Sequence, residues 1–206
     1  MSFGWRSRKK NKSLMDHLIL ASTSKYRRQL LKQLAIPFES IAPNIDETAF
    51  EGEAPLDLVK RLSLSKARIV SKNYSKSFVL GSDQIATYND LIIGKPNNRK
   101  NAIKQLSQFS NNQVIFHTAV SLINGSTNFL ETQVSTVVVK FRLLSIKQIE
   151  DYLDFDLPYD CAGSFKVESL GISLFESIEN NDPTSLQGLP LITVMNLLNK
   201  ANFNFS

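Results

Sequence analysis

Asp83 stands in Gly81-Ser82-Asp83-Gln84, a carboxylate set into a run that reads Phe78-Val79-Leu80 before it and Ile85-Ala86 after it. An acid inside a buried strand is costly unless it is paired, metal-bound or kept for chemistry. Burial moves a carboxylate toward the range useful for taking a proton from water, and a nearby cation restrains that rise and keeps it ionised. Asp83 is therefore the candidate general base; the plainer alternative is a strand-end acid that caps a turn.

Cationic and hydroxyl groups elsewhere suit an anion. Ser22-Thr23-Ser24 falls where an apolar run meets a helical pattern, and Arg27 and Arg28 follow at once. Free backbone N–H groups, the positive end of a helix and two bidentate guanidiniums make a triphosphate grip. The alternative is an ordinary N-cap followed by solvated arginines. Lys66 falls on the Val59, Leu62, Ile69 stripe, and Lys95 follows the apolar Leu91-Ile92-Ile93 in Gly94-Lys95-Pro96. Both could point into a cleft as phosphate ligands, or serve as a snorkelling stem and a solvated strand end. Asp46, Glu47 and Glu39 supply hard oxygens, and Mg²⁺ commonly bridges one or two carboxylates to substrate phosphates. The small-residue segment Cys161-Ala162-Gly163-Ser164-Phe165-Lys166-Val167-Glu168 permits close ligand approach, and Glu168 could accept from the paired donors of a guanine edge.

The composition narrows the classes open to such a site. The chain has 206 residues, 42% apolar and 21% charged, which fits a folded globular unit rather than a disordered or low-complexity one. One cysteine and two histidines are too few for a structural zinc site and exclude an intrachain disulfide, so a reducing, cytoplasmic setting is expected. No apolar run approaches the roughly 18 residues of a membrane span. Eight glycines lie no closer than Gly163 and Gly171, so neither GxxxxGK[ST] nor GxGxxG exists.

The formal charge of +5 is local. Arg6, Arg8, Lys9, Lys10 and Lys12 precede Met15 with no acid among them, and the remainder carries 19 basic and 19 acidic residues. The charge thus reports a tail rather than a nucleic-acid-binding face, and no nucleic-acid partner is expected. Residues 1–14 are expected to be a disordered extension from an upstream start, with Met15 an equivalent start, and 15–206 a single domain.

The elements that must position these residues alternate. Strands are expected at Leu18–Ala21, Pro37–Ile41, Ser77–Tyr88, Leu91–Ile93, Gln113–Ile123, Asn128–Phe141 and Gly171–Ile178. Helices are expected at Lys25–Ala35, Pro55 to about Asn73, Asn98–Phe109, Ser145–Phe155 and Leu189–Lys200. Asn89-Asp90 and Asn124-Gly125 read as hairpin turns, so the sheet is expected to be mixed. Adjacent residues of a regular strand face opposite ways, so Asp83 and Gln84 reach one pocket only with a strand end or a bulge between them.

In order along the chain, Leu18–Ser24 with Arg27-Arg28, Pro43–Thr48, Gly81–Gln84, Gly94-Lys95-Pro96, Cys161–Lys166, Leu174-Phe175-Glu176 and Gly188–Leu191 resemble the Maf family of nucleoside triphosphate pyrophosphatases. The resemblance covers about Met15 to Lys200. Gln84 after the aspartate, an aromatic two residues after Ser24, and the run from Cys161 to Glu168 are similar to the YceF subfamily, whose members hydrolyse 7-methyl-GTP. The dTTP/UTP branch usually has Thr for Gln84 and Gln for Glu168.

The resemblance implies an α/β, inosine-triphosphatase-like fold: a twisted mixed sheet flanked by helices, in two lobes with the active-site cleft between them. It implies hydrolysis of 7-methyl-GTP to 7-methyl-GMP and diphosphate with Mg²⁺ or Mn²⁺. Asp83 would be the proton acceptor, Tyr26, Gln84 and Glu168 the base-selecting positions, and Arg27, Lys66 and Lys95 triphosphate contacts beside Ser22 and Ser24. Glu47 and Asp83 would meet the metal. A homodimer is a further implication, and rival roles are a dTTP/UTP enzyme or a nucleotide sensor acting on cell division without turnover. The chain departs from the family at Lys25, where Pro is common, at Ala119, where Gly follows the threonine, and in the tail.

Overall fold

The computed structural model describes residues 16–205. The basic extension 1–14 and its expected disorder lie outside the described residues. Four consecutive apolar residues make β1 (Leu18–Ala21), buried on both faces. It pairs in parallel with β2 (Phe38–Ser40) and with the first four residues of β3 (Phe78–Tyr88). Parallel neighbours need crossovers, supplied here by α1 (Lys25–Lys32) and α2 (Pro55–Ser71).

From β3 onward the pairing is antiparallel. Asn89 and Asp90 take φ of 50° and 61°, the pair of positive values a type I′ turn requires, and return the chain into β4 (Leu91–Ile93) against the end of β3. α3 (Arg99–Phe109) leads to β5 (Gln113–Asn124) and β6 (Phe129–Phe141), then α4 (Ile146–Asp156), β7 (Phe175–Glu179) and α5 (Leu191–Lys200). The order β2-β1-β3-β5-β6-β7, with β4 also on β3, makes the sheet mixed.

Alternation along the strands sorts the core into layers. Leu18, Leu20, Phe78, Leu80, Val120 and Leu122 face α1 and α5, while Ile19, Ala21, Val79 and Ile123 face Ala67 and Val70 of α2. Beyond them, Ala86, Phe116, Val137, Val139 and Phe141 pack with α3 and α4 in a second core. The long strands β3, β5 and β6 contribute to both the first and the second core. Among the described residues no helix is long and apolar enough to cross a membrane.

Three expectations need correction. The chain from Gly171 does not begin as a strand: Leu170–Leu174 is a 3₁₀ turn, because Gly171 N donates to the Lys166 carbonyl (3.1 Å) rather than into the sheet. The β5–β6 hairpin forms through a four-residue connection, 125–128, one residue beyond the expected 124–127, with Asn124 Oδ1 accepting from Ser126 N and Thr127 N. Gly125 provides close approach to Ser75 rather than a positive φ, which falls to Asn128. The first helix stops at Lys32, short of Ala35, whose φ of 54° turns the chain toward β2.

Candidate active site

The site is made by a gap in pairing. β1 covers one edge of β3 only as far as Gly81, and β4 begins on that edge at Ala86. Ser82–Ile85 therefore has β5 on one side and an open edge on the other. A cavity of about 990 Å³ occupies this opening, lined by the ten residues to which the family resemblance gives roles: Ser22, Ser24, Tyr26, Arg27, Glu47, Lys66, Asp83, Gln84, Lys95 and Glu168.

The strand is regular here, with unbroken register from Phe78–Asn124 to Thr87–Ile115, so neither the strand end nor the bulge expected between Asp83 and Gln84 is present. Asp83 and Gln84 do face opposite sides of the sheet. They border one cavity because the open edge lets it wrap around the strand from one face to the other.

On the α2 face, the buried Lys66 Nζ lies 2.6 Å from Asp83 Oδ1 and 2.8 Å from Glu47 Oε1. Lys66 and Asp83 are 5% and 7% exposed, so the ammonium meets its buried partner away from water, where unpaired charge is most costly. Glu47 reaches the same ammonium from the exposed loop that follows β2. Asp46 and Glu39, offered by the sequence as further ligands, are elsewhere: Asp46 Oδ1 accepts from Thr48 N, and Glu39 pairs with His17 at 3.4 Å.

On the opposite face, the turn 185–188 organises the side chains. The Gly188 carbonyl accepts from Arg27 Nε (2.9 Å) and from Ser82 Oγ (3.0 Å). Gln84 Nε2 donates to Thr118 Oγ1 and to the Ser185 carbonyl, each at 2.9 Å, which fixes the amide orientation. Burial pushes the Arg27 pKa down, and the charges of Asp83 and Glu47 pull it back up. Ser185 and Gly188 were missed as site builders because they act through carbonyls. The available signal was two polar residues, Ser82 and Gln84, on the strand face that reads Phe78 and Leu80.

At the start of α1 the serines cap the helix. Ser24 Oγ caps the helix by accepting from Arg27 N, and Ser22 Oγ accepts from Ser24 N. A hydroxyl that accepts in this way keeps its own proton for an anion. Lys95 is exposed on the cavity rim after β4.

The remaining wall carries Tyr26, Cys161 and Glu168. Burial first, then the charges of Cys161, Asp160 and Glu168, push the Tyr26 phenol up to about 12, so it stays protonated. Lys25 Nζ sits 4.9 Å from the Tyr26 ring centroid, so this aromatic face already accepts a cation.

Among the described residues no group of three or more His, Cys, Asp or Glu could hold a metal ion. Glu47 and Asp83 bring two carboxylates to one ammonium, that of Lys66. That donor set fits a hard divalent ion whose other ligands are substrate phosphate oxygens and water.

A 7-methyl-GTP pyrophosphatase of Pseudoalteromonas translucida is 49% identical over 88% of this chain and 90% of its own length. One from a Polaromonas species is 47% identical over 89% of this chain and 84% of its own. Among solved structures, the Staphylococcus aureus Ham1 protein matches 91% of this chain and 98% of that one, at 15% identity and a TM-score of 0.47. The family described as Maf-like protein matches residues 17–201, and the chain belongs to the Maf family.

Proposed function

We propose that this protein hydrolyses the α–β phosphoanhydride of 7-methyl-GTP, releasing 7-methyl-GMP and diphosphate. One observation carries the reading: a buried carboxylate, Asp83, held against Lys66 at the edge of a cavity that also presents Arg27, Lys95 and a helix N-terminus. The names of the relatives at 49% and 47% identity support the choice of substrate.

Lys66 Nζ takes Asp83 Oδ1, which leaves Oδ2 to receive the proton of an attacking water. The water oxygen bonds to phosphorus as the bond to the bridging oxygen breaks, and the diphosphate departs with the electron pair. Arg27, Lys66 and Lys95 neutralise the charge that develops on it. Glu47 and Asp83 would hold the Mg²⁺ or Mn²⁺, which supplies further positive charge to the phosphate oxygens.

The other end of the cavity suits the base. N7 methylation gives guanine a delocalised positive charge; the Tyr26 face offers a cation–π contact of about 0.5–2 kcal/mol, and Glu168 accepts from N1–H and N2–H₂. Gln84 supports selection from the strand through its fixed amide.

Diphosphate release across a nucleotide panel, with Mg²⁺ or Mn²⁺ present, tests the proposal. The highest kcat/KM is expected for 7-methyl-GTP. A preference for dTTP or UTP moves the protein to the other branch, and binding without release of diphosphate makes it a sensor.

A further inference from the structure

The segment 41–54 between β2 and α2 has neither helix nor strand, yet it carries Glu47 to Lys66. A chain of this length without regular structure has many conformations to lose on ordering. Glu47 is itself exposed, so little packing holds it. Something else must set its place.

Ile45 packs beside Leu58, Val59, Leu62 and Ile85 on one side of Glu47. On the other side Arg61 of α2 holds the loop. Its Nε and Nη2 lie 2.6 and 2.7 Å from Glu53 Oε1 and Oε2, a bidentate pair. The same Nη2 donates to the Thr48 carbonyl at 3.0 Å, next to Glu47. The guanidinium carbon lies 4.0 Å from the centre of the Phe50 ring, and Phe50 N donates to Glu53 Oε2 at 3.0 Å. Arg61 and Lys66 both belong to α2, so a guanidinium that pins the loop to this helix also registers Glu47 against the ammonium it meets.

We propose that Arg61 is a positioning residue for Glu47: by clamping Thr48, Phe50 and Glu53 to α2 it fixes the Glu47 carboxylate beside Asp83 and Lys66. The functional half of this inference rests on the pyrophosphatase reading of the site. The clamp itself does not.

Two measurements test it on the full chain. In steady-state hydrolysis of 7-methyl-GTP, Arg61→Ala is expected to lower kcat/KM about tenfold, the loss typical of removing a group that orients a ligand residue. Arg61→Lys should not restore it, since an ammonium lacks the planar fork. In a Glu47→Gln background the Arg61 change should then matter by less than about twofold, because the two losses share one cause. Losses that multiply, or a Glu47→Gln variant with unchanged kcat/KM, would overturn the proposal.

Amide hydrogen exchange over residues 43–54 is expected to quicken about tenfold in Arg61→Ala; unchanged exchange overturns the clamp whatever the activity. If the unaltered protein hydrolyses no nucleotide, the reading of the site fails, while the exchange result still decides the clamp. Phe50→Ala, at a side chain 65% exposed, removes the stacking surface without touching the core. It should move both measurements in the same direction even if Arg61→Ala folds poorly.

Discussion

Gly81 of β3 meets the backbone of Ser63 so closely that a Cβ on it would overlap the Ser63 carbonyl oxygen and come within 2.8 Å of Ala67 N. The missing side chain lets α2 lie directly on the strand, and this approach brings Lys66 to Asp83 two residues further on. Both atoms in the way are backbone, so the helix must shift if a methyl group is added. Gly81→Ala is expected to cost about 1–3 kcal/mol, as overpacking does, and to lower kcat by moving Lys66. Urea unfolding and steady-state hydrolysis measure the two effects; an unchanged midpoint would show that the helix yields freely.

Asp83→Asn keeps the shape of the side chain and removes its proton affinity. Turnover should fall by about 10²–10⁴, the usual contribution of a general base, while nucleotide affinity, which the proposal assigns to Arg27, Lys95, Tyr26 and Glu168, should stay near that of the unaltered protein. Single-turnover kinetics beside equilibrium titration separates the terms. Near-normal turnover would remove Asp83 from the base role.

Much of this arrangement was legible before any coordinates. The β1–α1 junction, the strand around Asp83 and the Asn89-Asp90 turn each follow from residues adjacent in sequence, where period and turn chemistry act locally. What sequence could not show was long-range. That Asp83 and Gln84 share a cavity depends on where β1 stops and β4 starts on a third strand, a fact of register rather than of local pattern. At Asn124-Gly125 the hairpin is legible, but the approach of Ser75, from a distant loop, to the glycine is not. The carbonyls of Ser185 and Gly188 belong to every residue type, so no choice of side chain marks them.

Glu168 lines the cavity near Tyr26, whose phenol its charge helps to raise. Its carboxylate suits a donor edge and a positive ring, which 7-methylguanine has and thymine lacks. Glu168→Ala should therefore lower kcat/KM for 7-methyl-GTP more than for dTTP, by about tenfold or more for the loss of a charged hydrogen-bonding partner. The comparison is made on one preparation with both substrates. Equal losses would mean that Glu168 does not read the base.

Cys161 lines the same wall, and its thiol is pushed up to about 12, first by burial and then by the neighbouring Asp160 carboxylate. The thiolate is the species that reacts with iodoacetamide, so a raised pKa means slower labelling. At pH 8 an ordinary thiol is about one-tenth to one-quarter ionised, whereas one near 12 is ionised at about one part in 10⁴. Labelling of the folded protein should thus run about 10³ times slower than that of the urea-unfolded chain. Between pH 7 and 10 the rate should keep climbing about tenfold per pH unit, where an unshifted thiol levels off near pH 9. Mass spectrometry of timed aliquots reads both quantities, and a plateau near pH 9 in the folded protein would place the thiol in open solvent, away from Tyr26 and the wall they share.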